Sequence, residues 1–243
     1  MQKKTPIKAI IWDLDGTLIH FKINSFKARR IAIKILKKYG VPKHILNVKF
    51  SILENVNEAR KYFQKVGFSD EPINQIIQKV DKEIIKIEHE AALIATMING
   101  IDKVVEFAKN KDLKQAIFTF NTKKNAEISL KKVNLLEYFN LIVGRDNIKN
   151  LKPHPDHLIY ICKNLSVKPS QILVIGDTIR DIEAAINVGA HSIALHTKLT
   201  NIETLQKADI IVKEDEIPQK MIQEISKLIE FQEPQNSPKK ISL

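Results

Sequence analysis

Residues 7–19 read IKAIIWDLDGTLI, a short apolar run that ends in two aspartates separated by one leucine. A buried strand does not ordinarily end on two like charges, because carboxylates repel each other strongly where water is excluded. The two acids are Asp13 and Asp15, and Gly16 and Thr17 follow them directly. This stretch therefore predicts both the first strand of the fold and the centre of a functional site.

Five further apolar runs resemble this first strand, being short, rich in β-branched residues and apolar on both faces. Such runs are typical of strands buried in a parallel sheet. Their alternation with helical stretches predicts an α/β fold, a doubly wound, Rossmann-like parallel sheet with right-handed crossovers. The predicted strands are KAIIW (8–12), QAIFTF (115–120), NLIVG (140–144), QILVIG (171–176), HSIAL (191–195) and ADIIV (208–212). The predicted helices occupy about 101–110, 123–134, 155–165, 180–188 and 200–206.

Residues 21–97 interrupt this alternation, because they contain three runs with helical spacing and no convincing strand. Gly40 and Gly67 suit helix ends, and Pro72 suits a helix start. We therefore expect a helical subdomain inserted after the first strand. The predicted organisation is an α/β core of residues 1–20 and 98–231, a helical insert of residues 21–97 and a loose tail of residues 232–243.

Bulk properties limit the class of protein. The chain has 243 residues, of which 44% are hydrophobic, and this is enough for one good-sized core. The single cysteine, Cys162, excludes an intramolecular disulfide and fits a reducing compartment. We expect a cytoplasmic protein with no membrane partner, because no apolar run is long enough to cross a bilayer and the N-terminus is a poor signal peptide.

The net charge of +11 is the one bulk property that favours an anionic partner. The lysines are spread along the whole chain and only 6% of the residues are aromatic, so we do not expect nucleic-acid binding. The expected partner is a small anionic molecule. A monomer and a homodimer both remain open.

Polar side chains follow four of the predicted strands, at the edge where doubly wound sheets bind ligands. Crowded carboxylates stay ionised only beside a cation, and oxygen ligands without a Cys/His cluster point to Mg²⁺. A nearby lysine and the amides of Gly16 and Thr17 suit anionic oxygens, so the site is built for a phosphoryl group. The residues at these strand ends are Asp13 and Asp15, then Thr119, Asn121 and Thr122, then Lys152, then Asp177 and Asp181.

Four motifs, in order and at wide spacing, resemble those of the haloacid-dehalogenase superfamily of phosphohydrolases. They are WDLDGTLI (12–19), FTFNT (118–122), LKPHPD (151–156) and VIGDTIRDIEAA (174–185). The helical insert between the first and second motifs resembles the helical cap of that superfamily. Within it, the chain is most similar to the branch of phosphoglycolate phosphatase.

The resemblance implies catalytic roles for the matching residues. Asp13 would be the nucleophile that forms an aspartyl-phosphate, and Asp15 the general acid and base. Thr119 would hydrogen-bond the phosphoryl oxygens, and Lys152 would neutralise the charge that develops on them. This division of labour explains why two acids are needed two residues apart.

The same resemblance implies a metal site. Asp13, the backbone carbonyl of Asp15 and the side chain of Asp177 would bind Mg²⁺. Asp181 would orient the metal-bound waters or Lys152 without touching the metal. From the residue alone, Asp181 in the first turn of a helix is also compatible with a solvent-facing position.

Substrate contacts are predicted for four residues: Gly16, Thr17, Asn121 and His20. His20 lies just past the first motif, where the chain enters the insert. Asn121 departs from the family pattern, because Phe120 stands directly after Thr119 where many relatives have asparagine. This departure puts the side-chain contact of the asparagine in doubt, and Phe120 either packs under the insert or lines a leaving-group pocket.

His154 and His157 form an HxxH pair, which we interpret as a loop histidine and a first-turn helix histidine rather than a zinc site. The favoured function is a Mg²⁺-dependent phosphatase for a small phosphorylated metabolite, phosphoglycolate-like by resemblance. The alternatives are a phosphomutase of the β-phosphoglucomutase type and a non-catalytic binding module on the same fold.

Overall fold

The structure is a computed structural model that describes residues 6–20, 22–198 and 200–229. The predicted tail at 232–243 lies outside the described residues. The strands are β1 (Ala9–Trp12), β2 (Ile19–His20), β3 (Thr96–Met97), β4 (Lys114–Phe118), β5 (Leu141–Val143), β6 (Ile172–Gly176), β7 (His191–His196) and β8 (Ile210–Lys213). The α-helices are α1 (Ser25–Lys38), α2 (Ile52–Lys65), α3 (Asp70–Leu93), α4 (Ile101–Asn110), α5 (Lys123–Lys132), α6 (Asp156–Leu165), α7 (Ile179–Val188), α8 (Ile202–Leu205) and α9 (Gln219–Ile229).

Six strands form one parallel sheet in the order β5-β4-β1-β6-β7-β8. The central strand β1 is buried along its whole length, which accounts for its apolar residues on both faces. The chain places β4 and β5 on one side of β1 and β6 to β8 on the other, so the strand order reverses at β1. The predicted doubly wound parallel sheet is confirmed, and each of its six strands was predicted.

The register of the three central strands aligns their carboxyl ends. Trp12 pairs with Ile117 of β4 and with Ile175 of β6. The next residue, Asp13, donates its backbone N–H to the carbonyl of Ile175 at 2.8 Å. The fully buried indole of Trp12 donates to the Gln115 side chain at 3.0 Å, so its N–H is paired although the ring is enclosed. The loops after β1, β4 and β6 therefore start at one level.

The chain divides into two compact units. The first comprises the described residues up to His20, then Met97–Lys123 and the described residues from Asn134 onward; it contains the parallel sheet. The second comprises the described residues of 21–96 together with Lys124–Val133. Most of α5 thus belongs to the second unit, although its sequence suggested a helix of the α/β core. Asn125 of α5 donates to the carbonyl of Ile85 in α3 at 3.3 Å.

The second unit is a helical bundle whose apolar side chains pack between α1, α2 and α3. The helix starts are set by local polar side chains: Asn24 accepts from the N–H of Lys27, and Ser51 forms a reciprocal capping box with Glu54. The predicted stop at Gly40 adopts a φ of +96°, a left-handed conformation that favours glycine just past a helix. Local sequence therefore defines these helices.

Three elements were not anticipated from the sequence. A two-stranded sheet pairs β2 with β3, and both strands have only two residues, too few for a periodic pattern. The third is α9, which buries Met221, Ile225 and Leu228 at helical spacing. No helix among the described residues combines the length and the apolar character needed to cross a membrane.

His157 is a buried histidine of the first unit, in the first turn of α6. Its ring is fully buried and packs edge-on against Phe118, with 5.5 Å between ring centroids. Its Nε2 lies 3.2 Å from the carbonyl of Val143, so the neutral ring donates there. Burial, reinforced by the positive charge of Lys152, lowers the pKa of His157 to about 4. The metal-capable cluster found in the described residues contains neither His154 nor His157.

We predict that His157→Phe reduces the pH dependence of stability. The folded pKa lies below the usual value of 6.5, so the unfolded chain binds the extra proton and stability is lost as the pH falls from 6.5 towards 4. Between pH 7.5 and pH 5 the wild type should lose on the order of 1–2 kcal/mol more unfolding free energy than the variant. Urea unfolding of both proteins at the two pH values measures this difference. The exposed His154→Gln serves as the control, and parallel pH curves for wild type and His157→Phe would contradict the prediction.

Candidate active site

Lys152 connects the loops that meet at the carboxyl edge of the sheet. Its side chain is 2% exposed and its ammonium donates to Asp13, to Asp181 at 2.6 Å and to the carbonyl of Phe118 at 3.2 Å. An ammonium has three donors, and all three are used. Burial by itself would lower the pKa of Lys152, but the charges of Asp13 and Asp181 outweigh burial and raise it. Lys152 is therefore a fixed positive charge beside the predicted nucleophile.

Asp13 is held at both oxygens. Its Oδ1 accepts from Lys152 and its Oδ2 accepts from the Thr17 hydroxyl at 3.2 Å. Burial raises the pKa of Asp13 to about 6, and the adjacent lysine opposes that rise. A carboxylate fixed in this way presents its oxygens in one orientation, which suits a nucleophile.

Asp181 is completely buried, so the solvent-facing alternative is removed. One oxygen accepts from Lys152, and the other accepts from the N–H and the hydroxyl of Thr178 at 3.0 and 2.6 Å. Asp181 thus stabilises the start of α7 through a capping box with Thr178. The same side chain also orients Lys152. A Cβ at Gly176 would lie 2.4 Å from the Cβ of Asp181, so this approach requires glycine.

Three buried carboxylates gather around one position. Oxygens of Asp13, Asp177 and Asp181 lie within 4.8 Å of one another. Burial, and then the charges of Asp13 and Asp181, raise the pKa of Asp177 to about 8. Its Oδ1 is buried without a hydrogen-bond partner in the described part of the chain. Among the described residues, Lys152 is the cation that pairs with these acids, at Asp13 and Asp181. A hard divalent cation therefore fits this donor set.

Asp15 lies with the residues that follow β4. It accepts from the Asn121 amide at 2.9 Å and, weakly, from the Thr119 hydroxyl at 3.5 Å. The Thr119 hydroxyl also accepts from the N–H of Asn121 at 3.0 Å. Asn121 therefore contacts the predicted acid–base residue despite its shifted position in the motif.

The turn after Asp15 differs from the expectation. The amides of Gly16 and Thr17 donate to the carbonyls of Ile19 and Leu14 within the turn, so they do not form the predicted anion cradle in this structure. The side chain of Thr17 instead holds Asp13. Gly16 has a φ of +87°, and a Cβ there would lie 2.3 Å from Asp177. Position 16 therefore requires glycine, both because of the turn geometry and because a carboxylate of the site approaches closely.

The contact described for His20 does not place this residue at the carboxylate cluster. It is exposed, and its Nε2 lies 3.8 Å from Glu214. Substrate contact by His20 stays a prediction.

Two arginines near this site were missed from the sequence. Arg145 donates from its side chain to the carbonyl of Phe120 at 2.8 Å and from its backbone to Asn121 at 2.9 Å. The guanidinium of Arg180 lies 5.5 Å from the centre of the Phe120 ring. Arg180 lies inside the fourth motif, between Asp177 and Asp181, and that placement was the available signal.

The chain is similar to known proteins in both sequence and fold. A family model described as haloacid dehalogenase-like hydrolase matches residues 10–195. A phosphorylated carbohydrates phosphatase of Thermotoga maritima is 27% identical over 198 residues, covering 77% of this chain and 84% of that protein. A phosphoglycolate phosphatase of Shigella dysenteriae serotype 1 is 25% identical over 210 residues, covering 80% and 83%. A crystal structure of β-phosphoglucomutase from Clostridium difficile has a TM-score of 0.65 at 22% identity, covers 90% of this chain and 96% of that one, and shows a shared fold.

We predict that Mg²⁺ stabilises the folded chain through the acid cluster. At a hundredfold excess over its dissociation constant a ligand adds about 2.7 kcal/mol, which is several degrees of melting temperature for a domain of this size. Asp177→Asn should reduce this shift because it removes a charged oxygen donor. It should not lower the melting temperature of the metal-free protein, since burial and the neighbouring acids already disfavour the charged form of this carboxyl group and raise its pKa.

Thermal denaturation with Mg²⁺ and with EDTA measures both effects. The matched control is Asp112→Asn, which changes an exposed aspartate outside the cluster and should leave the Mg²⁺ shift intact. An equal shift in Asp177→Asn and wild type would exclude Asp177 as a ligand.

Proposed function

Because the chain belongs to the haloacid dehalogenase-like hydrolase family, we propose that it is a Mg²⁺-dependent phosphatase that acts on a small phosphorylated metabolite. The observation that carries this proposal is the buried carboxylate of Asp13, held by Lys152 and Thr17 beside two further buried acids. Such a group is oriented for attack on phosphorus, and the positive charge beside it suits the oxygens of a phosphoryl group.

The first chemical step transfers the phosphoryl group to the protein. An oxygen of Asp13 forms a bond to phosphorus while the bond from phosphorus to the ester oxygen breaks. The departing oxygen takes a proton from Asp15, so the leaving group is released as an alcohol. In the second step Asp15 accepts a proton from water and the water oxygen forms a bond to phosphorus while the bond from phosphorus to the Asp13 oxygen breaks, which releases inorganic phosphate and regenerates the Asp13 carboxylate.

Asp15 is suited to this proton transfer by its contacts. Its carboxyl group is held by Asn121 and Thr119, whereas Lys152 contacts Asp13 and Asp181. Asp13 is therefore paired with a buried cation, and Asp15 accepts hydrogen bonds from two side chains that follow β4. We assign the proton transfer to Asp15 because it lies two residues from the nucleophile and these contacts fix the orientation of its carboxyl group.

Asp13, Asp177 and the backbone carbonyl of Asp15 are the proposed metal ligands, with Asp181 as the residue that orients Lys152. A bound Mg²⁺ would supply positive charge for the phosphoryl oxygens and would favour the ionised form of Asp13. Lys152 is already in place to neutralise charge that develops in the transition state. Thr119 is the proposed hydrogen-bond donor to the phosphoryl oxygens.

Phosphoglycolate-like compounds and sugar phosphates are the proposed substrates. Support comes from the names of the phosphatase relatives, one acting on phosphorylated carbohydrates and others on phosphoglycolate. A phosphomutase would use the same two acids but would return the phosphoryl group to a second substrate oxygen. A non-catalytic module is disfavoured, since the acids and the lysine of the motifs are present and lie together.

A panel of phosphorylated metabolites, assayed for released phosphate with Mg²⁺ and with EDTA, tests the proposal. We expect phosphate release from at least one compound with Mg²⁺ and loss of that activity with EDTA. Isomerised product without stoichiometric phosphate would identify a mutase. Absence of both products across the panel would refute the enzymatic function.

Replacing Asp13 by Asn should reduce phosphate release by on the order of 10³-fold or more while the protein remains folded, because the amide is a poor nucleophile. Asp15→Asn should slow turnover by roughly 10²–10⁴-fold, since proton transfer is lost. Circular dichroism confirms folding, and Asp112→Asn repeats the same chemical change at an exposed site. Undiminished turnover in Asp13→Asn would refute the covalent mechanism.

A further inference from the structure

The side chain of Arg180 is an exposed cation at the edge of the candidate active site. In the described parts of the chain its guanidinium forms no hydrogen bond or ion pair, and its contact is with the ring of Phe120. Arg180 is the second residue of α7, where the positive end of the helix dipole disfavours a cation. Neither an acidic partner nor helix stability therefore accounts for an arginine here.

Phe120 joins this surface arginine to the buried site. Its half-buried ring lies 5.5 Å from the guanidinium of Arg180 and 5.3 Å from the ammonium of Lys152. The ring is held from its backbone, because Arg145 donates to its carbonyl at 2.8 Å. Lys152, Phe120 and Arg180 thus form a path of increasing exposure from the buried lysine to solvent.

A substrate bound with its phosphoryl group at Asp13 and Lys152 has to direct its remaining atoms outward. Both residues are enclosed on the protein side, with 5% and 4% of their surfaces exposed. The ring of Phe120 lies beside Lys152 and offers no hydrogen bonds, and the guanidinium of Arg180 lies against the same ring. A guanidinium matches carboxylate and phosphate groups with paired donors.

We propose that Arg180 forms a second anion-binding subsite and that the substrate carries a carboxylate or a second phosphate beside the phosphoryl group that is removed. This proposal rests on the proposed phosphatase function and adds to it the chemical class of the leaving group. Arg180 binds the distal anion, Phe120 separates the two anion sites, and Arg145 fixes the position of Phe120.

Three small phosphate esters of nearly equal size test this subsite. Phosphoglycolate carries a carboxylate, 2-hydroxyethyl phosphate carries a neutral hydroxyl, and ethane-1,2-diol bisphosphate carries a second phosphate. In the wild type kcat/KM should be roughly tenfold or more higher for an ester with a second anion than for the neutral ester. The larger of the two ratios identifies whether carboxylate or phosphate is the preferred distal group.

Arg180→Gln should lower kcat/KM for the two esters that carry a second anionic group roughly tenfold more than for 2-hydroxyethyl phosphate. Arg180→Lys should retain part of the preference because it keeps the charge without the paired donors. Lys163→Gln removes an exposed positive charge near the end of α6, away from the strand ends that form the site, and should keep the full preference. A wild type without preference, or an Arg180→Gln protein with the wild-type preference, would overturn the proposal.

A binding measurement separates this subsite from the phosphatase activity. Titration calorimetry on Asp13→Asn, with Mg²⁺ present, compares the affinities for the three esters with and without the additional Arg180→Gln change. An Arg180-dependent preference in binding supports the subsite even if the wild type hydrolyses none of the esters, in which case the phosphatase function fails alone. Equal affinities for all three esters would overturn the subsite whatever the activity.

Discussion

The buried ammonium of Lys152 is the contact on which the organisation of the site depends. It joins the loop after β5 to Asp13 at the end of β1 and to Asp181 at the start of α7. Removing charges from water is costly unless they are paired, so one lysine and two acids stabilise one another only in this arrangement. The parallel register makes the arrangement possible, because it brings the ends of β1, β4 and β6 to one level.

The same arrangement leaves an excess of negative charge. Three buried carboxylates face one buried lysine, and burial together with the charges of Asp13 and Asp181 raises the pKa of Asp177 to about 8. A site that is electrostatically strained in this way has affinity for a cation, and a phosphoryl group brought to it needs further positive charge. The chemistry of the proposed reaction and the electrostatics of the folded chain therefore point to the same occupant.

Phe120 shows how a departure from a motif acquires meaning from the structure. In the sequence it only displaced Asn121 by one position, yet Asn121 still reaches Asp15 at 2.9 Å. The aromatic ring contacts Lys152 on the buried side of the site and Arg180 at its surface. In the proposed subsite, Phe120 separates the phosphoryl position from the distal charge of Arg180.

The sequence by itself determined the α/β class, the six strands of the main sheet and the family, because buried parallel strands have a recognisable composition and the four motifs carry their spacing with them. It also placed the acids and Lys152 at the strand ends. Only the tertiary structure decided that α5 belongs with the helical unit, that the amides of Gly16 and Thr17 are used within their turn, and that Arg180 meets Phe120. The physical reason is that composition and periodicity report on burial and local geometry, whereas the pairing of side chains distant in sequence exists only after the strands align.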